Sequence, residues 1–221
     1  MENIVITIAR GFGSGGKYIG SKLADELGIP CYDRQLLTLA SEASGIDENL
    51  FVDTDERLSG NALTRKLKSM PFSTVLDPHE KEFLSDNNLF NIQSAILRRL
   101  AMTESFVVIG KCADYLLKIY ANVVSFYVEA PRAACITSIM ERANVDRDRA
   151  EKMIVKTDKY RAEYYKYYTR GGDWTNPMNY DLTLNSYRIG RDRCVEVMKD
   201  YIDLKFDGNH PFRDKIKRTI R

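Results

Sequence analysis

Ile4-Val5-Ile6-Thr7-Ile8-Ala9-Arg10-Gly11-Phe12-Gly13-Ser14-Gly15-Gly16-Lys17-Tyr18-Ile19-Gly20 is the stretch from which the rest of the chain is read. Its β-branched apolar run, Ile4–Ala9, predicts a strand. The helical pattern of 16–27 closes on Leu23-Ala24-Asp25-Glu26-Leu27-Gly28. Between them lies a glycine-rich turn. Glycines let successive N–H groups converge without side-chain clash, and a helix N-terminus adds partial positive charge. The turn therefore predicts a bound phosphate. Gly11 to Lys17 fits G-x-x-x-x-G-K, but Tyr18 stands where that pattern has a magnesium-binding hydroxyl. Gly11–Gly16 also fits G-x-G-x-x-G. The only acidic residue ending a second strand at the right distance is Asp33, so phosphate is the better reading than a dinucleotide.

Outward from this turn, four more segments read as strands: Pro30–Tyr32, Phe106–Gly110, Val123–Val128 and Leu182–Asn185. They are short and mostly apolar on both faces, as in parallel sheets covered by helices. Helical patterns alternate with them at 34–43, 88–103, 112–119, 131–142, 146–168 and 189–203. The expectation is a doubly wound parallel α/β sheet with its ligand crevice at the carboxyl ends of the strands. Residues 45–88 break the rhythm and read as an inserted, partly helical subdomain over that crevice. The simplest organisation is one domain over 1–205 and a basic tail over 206–221.

The tail carries five basic and two acidic side chains, +3, in a chain whose net charge is only +2. A solvated or frayed tail is the expected state, and so small a net charge argues against nucleic acid or a membrane surface as partner. Cys31, Cys112, Cys135 and Cys194 are far apart, and with His79 and His210 they form no zinc spacing. Unpaired thiols suit a reducing, cytoplasmic setting. No run approaches the ~18 apolar residues of a membrane span.

These residues resemble the cytidylate kinase-like family, P-loop proteins related to nucleoside monophosphate kinases. The resemblance runs through Ile6–Gly20 and Leu23–Arg34, continues through Val108–Leu117, and returns at Asp158–Tyr165 and Asn179–Asn185. It implies a P-loop NTPase-type three-layer fold with a five-stranded parallel sheet, a helical acceptor-side insertion over 45–88 and a lid near 141–160. It implies ATP and Mg2+ as cofactors, with a small nucleotide as partner. Gly11, Gly13, Ser14, Gly15, Gly16, Lys17 and Tyr18 would then hold the donor phosphates. Asp33, Arg34, Lys111 and Asp158 would meet the acceptor, and Lys17, Arg147, Arg149 and Arg161 would carry charge in the transfer.

The same comparison exposes departures. With Leu23-Ala24-Asp25-Glu26-Leu27-Gly28 aligned to true cytidylate kinases, Gly16 takes the slot of the phosphate-gripping lysine and Lys17 follows one place late. One helical position turns a side chain by about 100°, so Arg10 or Lys17 is left to supply the charge. The family's Gly-Arg-Asp is Gly110-Lys111-Cys112 here. Lysine keeps the charge but lacks the planar fork, and a thiol cannot replace a base-binding carboxylate. An arginine four residues before Asp158 is replaced by Ile154. Cytosine specificity therefore does not carry over.

Asp33 and Arg34 are equally suited to capping the next helix. Asp158, Arg161 and Tyr165 share one helix face by their spacing. Tyr160, Tyr164 and Tyr167 form a stripe on the opposite face, expected to pack rather than to stack bases. Trp174 is expected to anchor the loop before the last strand. Two functions remain open at this point: ATP-dependent phosphoryl transfer to a small phosphorylated acceptor, a nucleoside monophosphate by the resemblance, and a regulatory protein that keeps the fold and binds nucleotide or phosphate without chemistry.

Overall fold

The computed structural model describes residues 2–33 and 86–216. The apolar run predicted as the first strand forms β1 (Val5–Arg10), and the turn after it leads into α1 (Gly16–Leu27). β2 (Cys31–Tyr32), α2 (Asp86–Ala101) and β3 (Phe106–Ile109) follow, then α3 (Ala113–Leu117), β4 (Val123–Glu129) and α4 (Arg132–Ala143). α5 (Arg147–Tyr168) precedes β5 (Leu182–Asn185), α6 (Ser186–Ile189) and α7 (Arg191–Lys205). The strands form one sheet in the order β2-β3-β1-β4-β5. β1 runs parallel to both β3 and β4, with Ile8 opposite Ile109 and Arg10 opposite Val128, and β4 runs parallel to β5. That order puts the turns after β1, β3 and β4 side by side at one edge of the sheet.

The expected doubly wound parallel sheet is therefore present. The helix expected over 189–203 is present as α7, and the separate short turn of α6 precedes it. Asn185 accepts from the Arg188 N–H at 3.2 Å, closing a single helical turn, and Gly190 at φ +89° starts α7 afresh. The helix expected at 34–43, and residues 45–85 of the expected insertion, lie outside the described residues.

Two compact units divide the chain: Met1–Cys31 with Ala101–Arg221, and Tyr32–Leu100. In the first, Ile19, Leu23, Ala24 and Leu27 of α1 meet Cys194, Val195, Met198 and Ile202 of α7 in one buried cluster with the strands. Each such aliphatic side chain contributes about 1.5–3 kcal/mol relative to exposure. Phe212 and Ile216 join this cluster, so residues 206–216 are not the frayed tail their charge suggests. Apolar anchors between the basic residues outweigh the charge, and the Lys215 ammonium donates to the Leu27 carbonyl at 2.6 Å, at the end of α1. In the second unit, α2 buries Ile96, Leu97 and Leu100, and the Ser94 hydroxyl donates to the Phe90 carbonyl.

Candidate functional site

The turn after β1 leaves the sheet with the Gly11 N–H donating to the Val128 carbonyl at 3.1 Å. Gly13 and Gly15 take φ of +93° and +85°, a region that costs any residue with a Cβ. At Gly13 a Cβ would also stand 2.8 Å from the Cys135 carbonyl oxygen. Ser14 folds inward, its hydroxyl donating to the Gly11 carbonyl at 2.9 Å, while its own carbonyl accepts from the Ser186 hydroxyl at 2.6 Å. Gly15 precedes α1 without any side-chain cap. Among the described residues, no carbonyl or side chain accepts from the backbone N–H groups of Gly13, Gly15, Gly16 or Tyr18. This is a set of donors arranged for an anion.

Side chains hold that backbone from three sides. The Asp158 carboxylate accepts from the Phe12 N–H at 2.9 Å and from the Arg161 guanidinium at 3.2 Å. Arg161 also donates to the Arg10 carbonyl at 3.0 Å. The Phe12 ring lies under two guanidinium groups, Arg142 at 5.3 Å and Arg161 at 5.5 Å. Glu129 presses its carboxylate against Gly11, where it accepts from the Tyr127 hydroxyl at 2.7 Å and the Ala130 N–H at 2.9 Å. The Arg191 guanidinium crosses over Gly15 and donates to the Ser138 hydroxyl at 2.9 Å.

At the end of β3, Gly110, Lys111 and Cys112 take φ of +76°, +62° and +54° in succession. For the two residues with side chains this conformation costs roughly 1–2 kcal/mol each. Asp114, in the first turn of α3, is buried and accepts from the Tyr165 hydroxyl at 2.7 Å. Burial pushes its carboxyl up to about 6, against the opposing pull of that hydrogen bond. Burial also pushes the Cys112 thiol well above its ordinary value, reinforced by the charge of Asp114, so it is no nucleophile. Beside this cluster Tyr127 stacks on Tyr180 and meets Trp174 edge-on. Trp174 is the anchor expected of it: its carbonyl accepts from the Tyr180 hydroxyl at 2.5 Å.

The structure thus brings the Gly11–Gly16 turn, Asp158 and Arg161 into direct contact. Lys17 lies exposed in the first turn of α1, and Arg147 and Arg149 lie exposed in the first turn of α5. Asp146 caps that turn by accepting from the Arg149 N–H at 2.7 Å. Asp33 follows β2 in the second unit, and Arg34 lies outside the described residues. Ile154, which replaces the relatives' arginine, is buried with Cys135, Ile136, Ile139 and Ala150 between α4 and α5. The tyrosine stripe does not pack as expected: Tyr160 and Tyr167 are 62% and 65% exposed. Their rings cluster instead with those of Tyr164 and Tyr168 along the helix.

Sequence reasoning missed Phe12, Glu129, Ser186 and Arg191 as parts of the loop's setting. Glu129 is the one that carried a signal, as a charge ending an apolar strand. The residues present do not fit a protein-held Mg2+ at position 18. The Tyr18 hydroxyl donates to Asp192 at 3.0 Å, sharing that carboxylate with Lys22 at 2.7 Å. These bonds, Lys22's foremost, hold the Asp192 carboxyl below its usual range. Among the described residues no three acidic, histidine or cysteine side chains gather as a metal site.

A five-stranded parallel sheet with a glycine loop between its central strand and first helix is a P-loop NTPase-type three-layer fold. Residues 5–188 match the cytidylate kinase-like family, and the chain belongs to it. Among solved structures it is similar to an uncharacterised protein from Eubacterium ventriosum, 26% identical with a TM-score of 0.67, the match covering 91% of this chain and 99% of that one. Shikimate kinase from Bacteroides thetaiotaomicron is 12% identical at a TM-score of 0.49, covering 90% and 98%. A gluconokinase from Sinorhizobium meliloti 1021 is also 12% identical at 0.49, covering 94% and 98%. No curated protein matches the sequence. No helix among the described residues is long and apolar enough to cross a membrane.

Proposed function

We propose that the protein transfers the γ-phosphoryl group of ATP to a small phosphorylated acceptor, a nucleoside monophosphate being the class the family suggests. The observation that carries this reading is the set of unpaired N–H donors at Gly13, Gly15, Gly16 and Tyr18, one strand away from Lys111 at the end of β3. In this reading the β1 turn and Lys17 hold the donor phosphates, and Lys111, Asp33 and Arg34 orient the acceptor. Asp158 and Arg161 fix the loop between them. An ionised acceptor oxygen forms the new bond to the γ-phosphorus while the bridging oxygen keeps the electron pair of the bond that breaks. No base is needed, because positioning and charge do most of the work. Arg147 and Arg149 sit where the positive end of α5 disfavours cations, so helix stability gives no reason for them. They would neutralise charge on the phosphates. Mg2+ would arrive on the nucleotide, held by phosphates and water.

Incubation of the purified chain with Mg-ATP and a panel of nucleoside monophosphates tests the reading. ADP release that depends on one acceptor is the expected result, with a fall of at least tenfold in Arg161→Ala. Release independent of every acceptor, at the rate of that variant, overturns it. A second reading, nucleotide binding without transfer, is favoured by the Tyr18 hydroxyl being turned to Asp192. ATP binding that survives in the absence of any turnover would support it.

A further inference from the structure

We infer that Arg10 supplies the phosphate-binding cation of this loop, its side chain having exchanged places with the one Gly16 lacks. The inference rests on the phosphotransfer reading and names the residue that would carry its main charge. Gly16 is the first residue of α1 and is buried. A Cβ built on it would stand 2.5 Å from the Arg10 Cβ and 3.0 Å from its Cγ. The stem of Arg10 therefore fills the space through which a side chain at position 16 would leave the helix. These are the near atoms of the stem, which cannot swing away as a side-chain tip can.

Beyond that crossing, the Arg10 guanidinium ends against the Cα of Gly110, where a Cβ would collide with its Nη1 atom. Gly110 is thus the second position at which the absence of a side chain makes room for Arg10. The side chain thus runs from the start of α1 to the Lys111 turn that ends β3, its stem beside Gly16 and its charge beside Gly110. Its origin is rigid: Arg10 pairs with Val128 in the sheet, and its carbonyl is held by Arg161 at 3.0 Å. A guanidinium is always charged and offers paired donors in a plane, which suits phosphate oxygens. Lys17 begins from the next helical position, about 100° round from Gly16, and is exposed.

The test compares Arg10→Ala, Arg10→Lys, Lys17→Ala and the exchange Arg10→Gly/Gly16→Lys in full-length protein, each first checked for a cooperative thermal transition. Turnover with Mg-ATP and the active acceptor is expected to fall about 10²–10³-fold in Arg10→Ala, at least tenfold further than in Lys17→Ala. Arg10→Lys should retain part of it, and the exchange variant should exceed Arg10→Gly at least tenfold. Binding of ATP alone is read in parallel and should weaken at least tenfold in Arg10→Ala. If wild-type protein binds ATP but transfers nothing, the phosphotransfer reading fails while this binding comparison still judges Arg10. Unchanged ATP affinity in folded Arg10→Ala, or an equal loss in Lys17→Ala, would overturn the inference.

Discussion

The turns after β1 and β3 leave adjacent parallel strands at the same edge of the sheet, and both use left-handed backbone, yet they are built in opposite ways. After β1 the positive φ values fall on glycines, Gly13 and Gly15. Side chains are absent there, N–H groups are open, and distant residues such as Asp158 and Arg161 do the holding. After β3 only the first of three left-handed residues is glycine. Lys111 and Cys112 keep their side chains at a conformational cost, over the buried Asp114–Tyr165 pair. One turn presents backbone and the other presents side chains. That division suits the roles proposed for them: a donor phosphate chain is much the same in any nucleoside triphosphate, whereas an acceptor must be told apart by side chains.

The largest expected effect is at Gly13. Gly13→Ala combines left-handed strain with a clash against the Cys135 backbone, and should cost about 3 kcal/mol in urea denaturation. Gly15→Ala meets only the movable Arg191 side chain, and about 1 kcal/mol is expected. Equal losses at the two sites would show that Gly13 is not packed against the Cys135 backbone as described.

Asp114 tests the β3 turn through pH. Its folded value of about 6 lies above the ordinary 3.8, so the folded state favours the protonated form. The associated stability is full below about pH 4 and is lost as pH rises through about 6. Asp114→Asn does not titrate. Denaturation at pH 4 and pH 7 should therefore show the variant gaining on wild type by about 2–3 kcal/mol across that interval. A constant difference would mean that Asp114 is ionised without penalty.

Removing the clamp on the β1 turn by Asp158→Ala should cost about 1–2 kcal/mol and loosen nucleotide binding with it. The smallest change expected is a gain. Lys111→Gly relieves left-handed strain and should raise stability by up to about 1 kcal/mol while acceptor-dependent turnover falls. Lower stability in that variant would erase the contrast between the two turns.

Much of this arrangement was legible in the chain. Apolar runs and turn glycines give the strands, because burial on both faces and freedom of φ are local requirements. The spacing of Asp158, Arg161 and Tyr165 places them on one face of a helix, but periodicity does not say what that face meets. It meets the glycine loop through the first two and Asp114 through the third. The exchange between Arg10 and Gly16 is invisible to alignment by slots, since it depends on a side chain crossing from a strand to a helix start. Charge misled at 206–216, where Phe212 and Ile216 decide the packing. Aromatic spacing misled at Tyr160 and Tyr167, which face solvent.

The position of β1 at the centre of the sheet also bears on biosynthesis. A ribosome makes the glycine loop before any of its sheet partners, since β1 pairs with Phe106–Ile109 on one side and Val123–Val128 on the other. α1 then waits for α7, for Phe212 and Ile216, and for Lys215 to meet its last carbonyl. A nascent chain halted anywhere before residue 191 has made its glycine loop but lacks the α7 residues that pack against α1. Of the elements of this sheet, the earliest to be made is therefore the last to be fully packed.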